Sequence, residues 1–150
     1  MKKVGTYTTR GQGLEADGAM KISLFDGRFD TGYRITAFTV FPQSVQDAYD
    51  HRCAGKLGTS DNLETASATF MNLQDNREIA WAGIASGSID SVVLRDGIVD
   101  PDNFVVEDLY VYFRSNQNEP VNYMITMDKY ETNDWKGALT LARGKQMGDD

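Results

Sequence analysis

Apolar and polar positions alternate along much of this chain, and a period of two predicts strands. In Phe104 to Arg114, Val105, Leu109, Val111 and Phe113 share one face with Glu107. Val106, Tyr110 and Tyr112 share the other with Asp108 and Arg114. Val121 to Tyr130 alternates in the same way, with Val121, Tyr123, Ile125 and Met127 on one side. Both faces carry apolar and aromatic side chains. That pattern suits strands covered on both sides, or covered on one side and in contact with another subunit. Ser115 to Pro120 would join the two as a hairpin.

The same reading predicts an edge strand over residues 1 to 9 and strands at Ala19 to Phe25, Glu78 to Ile84 and Ser88 to Leu94. Tyr33 to Phe41, aromatic and β-branched, is ended by Pro42. Ala66 to Met71 is a weaker strand candidate. Asp26-Gly27 and Asp96-Gly97 each carry the composition of a tight hairpin turn, which needs positive φ. Asn72 to Asn76 reads as a turn, and Asp100-Pro101-Asp102-Asn103 as a further reversal. In LFDGRFDTGYRI, residues 24 to 35, the glycines therefore sit where a corner is needed rather than where a ligand is cradled. Arg10 to Gly18 and residues 43 to 65 read as loops, the second with a short strand at Ala54 to Leu57. A loop of that length is often a contact for a partner.

One helix is predicted, over about 133 to 143. Thr132, Asn133 and Asp134 offer N-caps, and Trp135, Ala138, Leu139 and Ala142 form one apolar stripe at helical spacing. Gly144 suits the position after the helix, and Gly137 weakens it, so it needs packing to persist. Eight or so strands and one C-terminal helix imply a mainly β fold: an antiparallel two-sheet sandwich, with the jelly roll as one form, built as a single domain over residues 1–150.

Composition narrows the picture. A chain of 150 residues that is 41% hydrophobic and 11% aromatic can bury a real core. The net charge of −7 disfavours binding to nucleic acid or to an anionic membrane surface. A single cysteine, Cys53, excludes an intrachain disulfide and a multi-cysteine zinc site, and is consistent with a reducing cytoplasm. Met1 to Gly13 lacks the apolar stretch of a secretory signal, and the uncharged run from Ile79 to Ile89 is too short to span a bilayer.

Candidate chemistry is sparse, and no catalytic residue is assigned. His51 is the only histidine, and with Cys53 two residues away it reads as an exposed loop residue rather than half of a catalytic pair. Cys53 reads as a half-buried thiol. Calcium is the one cofactor the residues leave open, with Asp96, Asp100, Asp102 and Asn103 in one group and Asp26 and Asp30 in another; neither has EF-hand spacing. Carboxylates at turns more often bond their own backbone. Glu107 and Asp108 point to opposite faces of a strand, and Glu78 and Glu119 have no visible partner. Arg10-Gly11-Gln12-Gly13 lacks the context of a phosphate loop. The aromatic residues, Tyr33, Trp81 and Tyr130 among them, could form a sugar-stacking platform, but core and interface packing is the simpler account. The interface candidates are Tyr110, Tyr112, Tyr123, Trp135 and Leu139.

DGRFDTGYRITAF, DNREIAWA, VDPDNFVVEDLYVYFRS and VNYMITMDKYETNDWKGALTLAR resemble segments of small proteins that recur in genomes of marine bacteriophages. The resemblance runs from Ala19 to Arg143 and leaves out residues 43 to 65. It implies a virion protein of the minor capsid, decoration or head-surface type, made in the host cytoplasm. Its partners would be copies of itself, as a homo-oligomer, and other virion proteins. It carries no catalytic residues. A carbohydrate- or receptor-binding module of a phage tail or spike is the alternative, and a small hydrolase a weaker third.

Overall fold

The structure, a computed structural model, describes residues 2–28, 30–44, 50–63, 68, 71–86, 92–93 and 97–131. Nine strands are described: β1 (Lys2–Gly13), β2 (Met20–Ser23), β3 (Thr31–Pro42), β4 (His51–Gly58), β5 (Glu78–Ser86), β6 (Val92–Val93), β7 (Ile98–Val99), β8 (Asp108–Ser115) and β9 (Val121–Glu131). They form two antiparallel sheets. The smaller has the order β1-β9-β3; the larger runs β2-β8-β4-β5-β6, with β7 also paired to β5. The sheets pack face to face as a β-sandwich. The helix expected over 133–143 lies outside the described residues, as do most of 66–71 and of 88–94. Among the described residues, no helix is long and apolar enough to cross a membrane.

Alternation decides which faces meet. Ile35, Phe38 and Val40 from β3 and Val121, Ile125 and Met127 from β9 point into the sandwich. Leu57, Leu109, Val111 and Phe113 meet them from the larger sheet. Burying one such side chain is worth roughly 1.5–3 kcal/mol, so this seam supplies most of the driving force. The middle of the larger sheet is also covered on its other face. Tyr112 is fully buried there, beneath the segment after β4, and its hydroxyl donates to the Ser60 carbonyl. The apolar character of both faces of β8 is thus satisfied within the chain.

Four expectations are corrected. Ser115 to Pro120 is not a hairpin: β8 and β9 lie in different sheets, so this segment is an arch between them. The Asp26-Gly27 corner is likewise an arch, from β2 in one sheet to β3 in the other, with Gly27 at φ +87°. Local turn chemistry gives the reversal but cannot say which sheet the next strand joins. The loop expected over Arg10 to Gly18 begins later, because β1 continues through Gly13 in register with β9. A methyl group on Gly13 would overlap the Phe113 ring, so this glycine is a packing residue in a strand. Residues 43 to 65 also hold a full strand, β4, in the centre of the larger sheet.

One edge of the smaller sheet is closed. Tyr33 and Val105 exchange two backbone hydrogen bonds of 2.8 Å, and the Gly97 amide donates to the Phe38 carbonyl at 3.1 Å. Asn103, fully buried, bonds the backbone of Ile35 beside the irregularity at Ile35/Ala37. The opposite edge, β1, has no strand beyond it among the described residues.

Candidate functional site

The surface that stands out is the outer side of the smaller sheet. Register places Arg10, Met124 and Thr39 in one row across β1, β9 and β3, and Gln12, Asn122 and Phe41 in the next. All six point away from the core, and Phe41 (44%) and Met124 (46%) are the most exposed apolar side chains of β3 and β9. An open, mainly apolar groove of about 560 Å³ runs across these rows. The Gln12 amide donates to Asn122 Oδ1 at 2.8 Å, which fixes one polar end. Further along, Thr6 Oγ1 donates to Asp128 Oδ1 at 2.8 Å, and Lys3 Nζ stands 3.3 Å from the same carboxylate. These contacts hold the Asp128 carboxyl below the usual range, the Thr6 hydroxyl first. Arg10 makes no ion pair among the described residues.

The ionisable groups of the interior are committed to one another. Tyr112, Lys56 and Trp81 lie side by side across β8, β4 and β5. Lys56 Nζ is 3.4 Å from Glu78 Oε2, with both side chains 1% exposed. Glu78 Oε1 accepts from Trp81 Nε1 and from the Asn72 amide, each at 3.0 Å. The ammonium also stands 5.3 Å from the centre of the Tyr112 ring. A buried charge persists only with partners of this kind. Burial pushes the Tyr112 hydroxyl up to about 12.

A second cluster ties β4 to the arch before β9. His51 is buried, not an exposed loop residue: its Nδ1 lies 2.9 Å from Glu119 Oε1. Ser44 Oγ donates to Glu119 Oε2 at 2.8 Å. Ser44 bonds the carboxylate rather than the imidazole, so Ser44 does not stand in the order of a Ser-His-acid nucleophile. Cys53 is buried on the same side of β4, and burial, then the Glu119 charge, pushes its thiol up to about 12. A thiol held so high carries almost no thiolate near neutral pH.

The turn carboxylates also have partners. Asp26 accepts from Lys129 Nζ, the Thr31 hydroxyl and the Arg28 amide. Asp30 takes two bonds from Arg28, whose guanidinium also reaches Glu131 at 2.8 Å. Asp100 accepts the Asp102 amide, and Asn103 is spent on Ile35. Asp96 lies outside the described residues. Among the described residues, no three His, Cys, Asp or Glu side chains converge in a way that could hold a metal ion.

Of the interface candidates, Tyr112 is fully buried and presents nothing to another molecule, a correction whose cause is the chain's own cover over β8. Tyr123 faces inward, 5.8 Å from the Phe113 ring. Tyr110 is half-buried on the far side of the larger sheet. Trp135 and Leu139 lie outside the described residues. Trp81 is likewise buried, so it offers no platform for a sugar. The residues that do share an exposed surface are Arg10, Gln12, Phe41, Asn122 and Met124, of which the sequence marks only Arg10 and Gln12, and those as loop. Their one sequence signal is that they fall on the polar phase of an alternating strand. No family model, curated protein or solved structure matches this chain.

Proposed function

We propose that this protein is a non-enzymatic structural component of a bacteriophage virion, of the capsid, decoration or head-surface type, acting through protein–protein contacts. The observation that carries the reading is the contrast between the two sheets. The larger is covered over the middle of its outer face, at Lys56, Trp81 and Tyr112, while the smaller has one face and one long edge with no cover among the described residues. The interior ionisable groups bond one another, and the cysteine is held as a thiol, which suits a scaffold better than a catalyst. The partners are other copies and other virion proteins. The test is quantitative mass spectrometry of purified particles of a phage that encodes this chain. A fixed copy number per particle is expected; full recovery in the soluble fraction would sink the reading.

A second reading rests on the groove. The exposed Phe41 ring beside the Gln12–Asn122 amide pair offers stacking and hydrogen bonding together, as a glycan requires. Binding on a glycan array that is lost in Phe41→Ala would move the protein to the receptor-binding class.

A further inference from the structure

We propose that the open edge of β1 pairs with the same edge of a second copy, antiparallel about a two-fold axis at Thr8, joining two three-stranded sheets into one of six. This rests on the structural reading above and names the surface and the partner. The smaller sheet has two edges and treats them differently. The β3 edge is capped by Val105, Asn103 and Gly97. The β1 edge is 12 residues long, and nothing among the described residues pairs with it. A long edge with unpaired N–H and C=O groups is a template for another strand. β1 contains no proline and no acidic residue, and its one irregularity lies near its start, between Lys3 and Gly5.

Symmetry limits the registers. In a two-fold antiparallel pair, opposed residues must present their backbone groups alike, so the axis passes through a residue and not between two. Axes at Tyr7 and Thr8 overlap almost the whole strand, and in both no basic residue faces a basic residue. Charge selects between them. With the axis at Thr8, Arg10 of one copy stands opposite Thr6 of the other, on the outer face. Thr6 is the residue whose hydroxyl bonds the Asp128 carboxylate of the neighbouring strand. Adjacent strands are about 4.8 Å apart, so Arg10 of one copy and Asp128 of the other lie roughly 10 Å apart at Cα. An extended arginine spans that gap. The arrangement forms two Arg10–Asp128 pairs and engages a guanidinium that makes no ion pair among the described residues of the single copy. With the axis at Tyr7, Arg10 would face Val4, away from the carboxylate.

The test is light scattering of the full chain across a concentration series, together with oxidative cross-linking. Cys53→Ala removes the native thiol, and Thr8→Cys then places one cysteine on the axis. A self-associating protein and a rapid disulfide-linked dimer in Thr8→Cys are expected, with little cross-linking in Tyr7→Cys. Arg10→Glu, at an exposed position that leaves the core intact, should weaken self-association by about tenfold. A rapid Tyr7→Cys cross-link without one at Thr8 would overturn the register. A monomer at every concentration, or a dimer that neither variant cross-links, would overturn edge pairing altogether. Neither result touches the virion reading, which particle composition decides separately.

Discussion

Asn103 reads the backbone of Ile35 as a neighbouring strand would. Its Oδ1 accepts the Ile35 amide at 2.7 Å, and its Nδ2 donates to the Ile35 carbonyl at 2.9 Å. The same Nδ2 also donates to the Asp100 carbonyl at 2.7 Å, so one side chain closes its own turn and caps β3. Removing it strands two buried backbone groups. Asn103→Ala should cost about 2–5 kcal/mol, read from urea unfolding. Asn103→Asp should fail in a different way, because an ionised oxygen would face two carbonyls. Its deficit should shrink on mild acidification, and a deficit independent of pH would contradict this account.

Lys56 and Glu78 form a pair that can be removed together more cheaply than apart. Lys56→Met alone leaves a buried carboxylate facing an apolar side chain and should cost about 3–5 kcal/mol. Adding Glu78→Gln to that variant should recover part of the loss, since the new amide still accepts from Trp81. A double-mutant cycle with no coupling energy would refute the pairing.

Stability should fall in acid in a window set by Asp26. The hydrogen bond from Lys129, first among its partners, lowers this carboxyl from 3.8 to about 2. A folded-state value below the unfolded one gives stability that is present above about pH 4 and lost as pH falls towards 2. Arg77 lowers Asp75 in the same sense. Asp26→Asn should therefore flatten the acid limb of the stability profile while lowering stability at neutral pH. An unchanged profile would show that the arch contributes nothing through its charge.

Cys53 gives the opposite limb. Its thiol rises from 9.0 to about 12, so the unfolded chain ionises first and stability falls as pH climbs from about 9 towards 12. Cys53→Ala should lose the part of this dependence that begins near pH 9, leaving the part above about pH 10 that buried Tyr112 supplies. In the native protein the thiol should resist a soluble disulfide reagent at pH 8 and react at once in urea. Fast labelling of the folded protein would mean that β4 opens far more readily than its burial implies.

Sequence patterning carried the fold a long way where strands alternate cleanly. β3, β5, β8 and β9 were legible from their apolar phases, and the first part of β1 from a weak alternation over residues 1 to 9. β4 was harder: its outward phase is Arg52, Ala54, Lys56 and Gly58, which looks solvated. Lys56 is buried only because Glu78, 22 residues further on, is folded against it. The arches were misread as hairpins for a related reason, since turn residues encode a reversal and not the sheet beyond it. The exposed rows on the smaller sheet were invisible because Arg10, Asn122 and Phe41 become neighbours only through register. An exposed side chain bears no local packing signature that would mark it beforehand.

The placement of β1 against β9 has a consequence for the making of the protein. Thr6 and Asp128, bonded in the finished sheet, are 122 residues apart in the chain. At about 5–20 residues per second, a ribosome that has released the first strand needs roughly 6–25 s to supply its mate. During that interval a thread of threonine, tyrosine and glycine waits with both sides bare. The larger sheet can assemble meanwhile, since β8 is complete before β9 is made. Among the described strands the last step is then the insertion of β9 between β1 and β3, which have been waiting for it, and a product truncated before β9 would expose both.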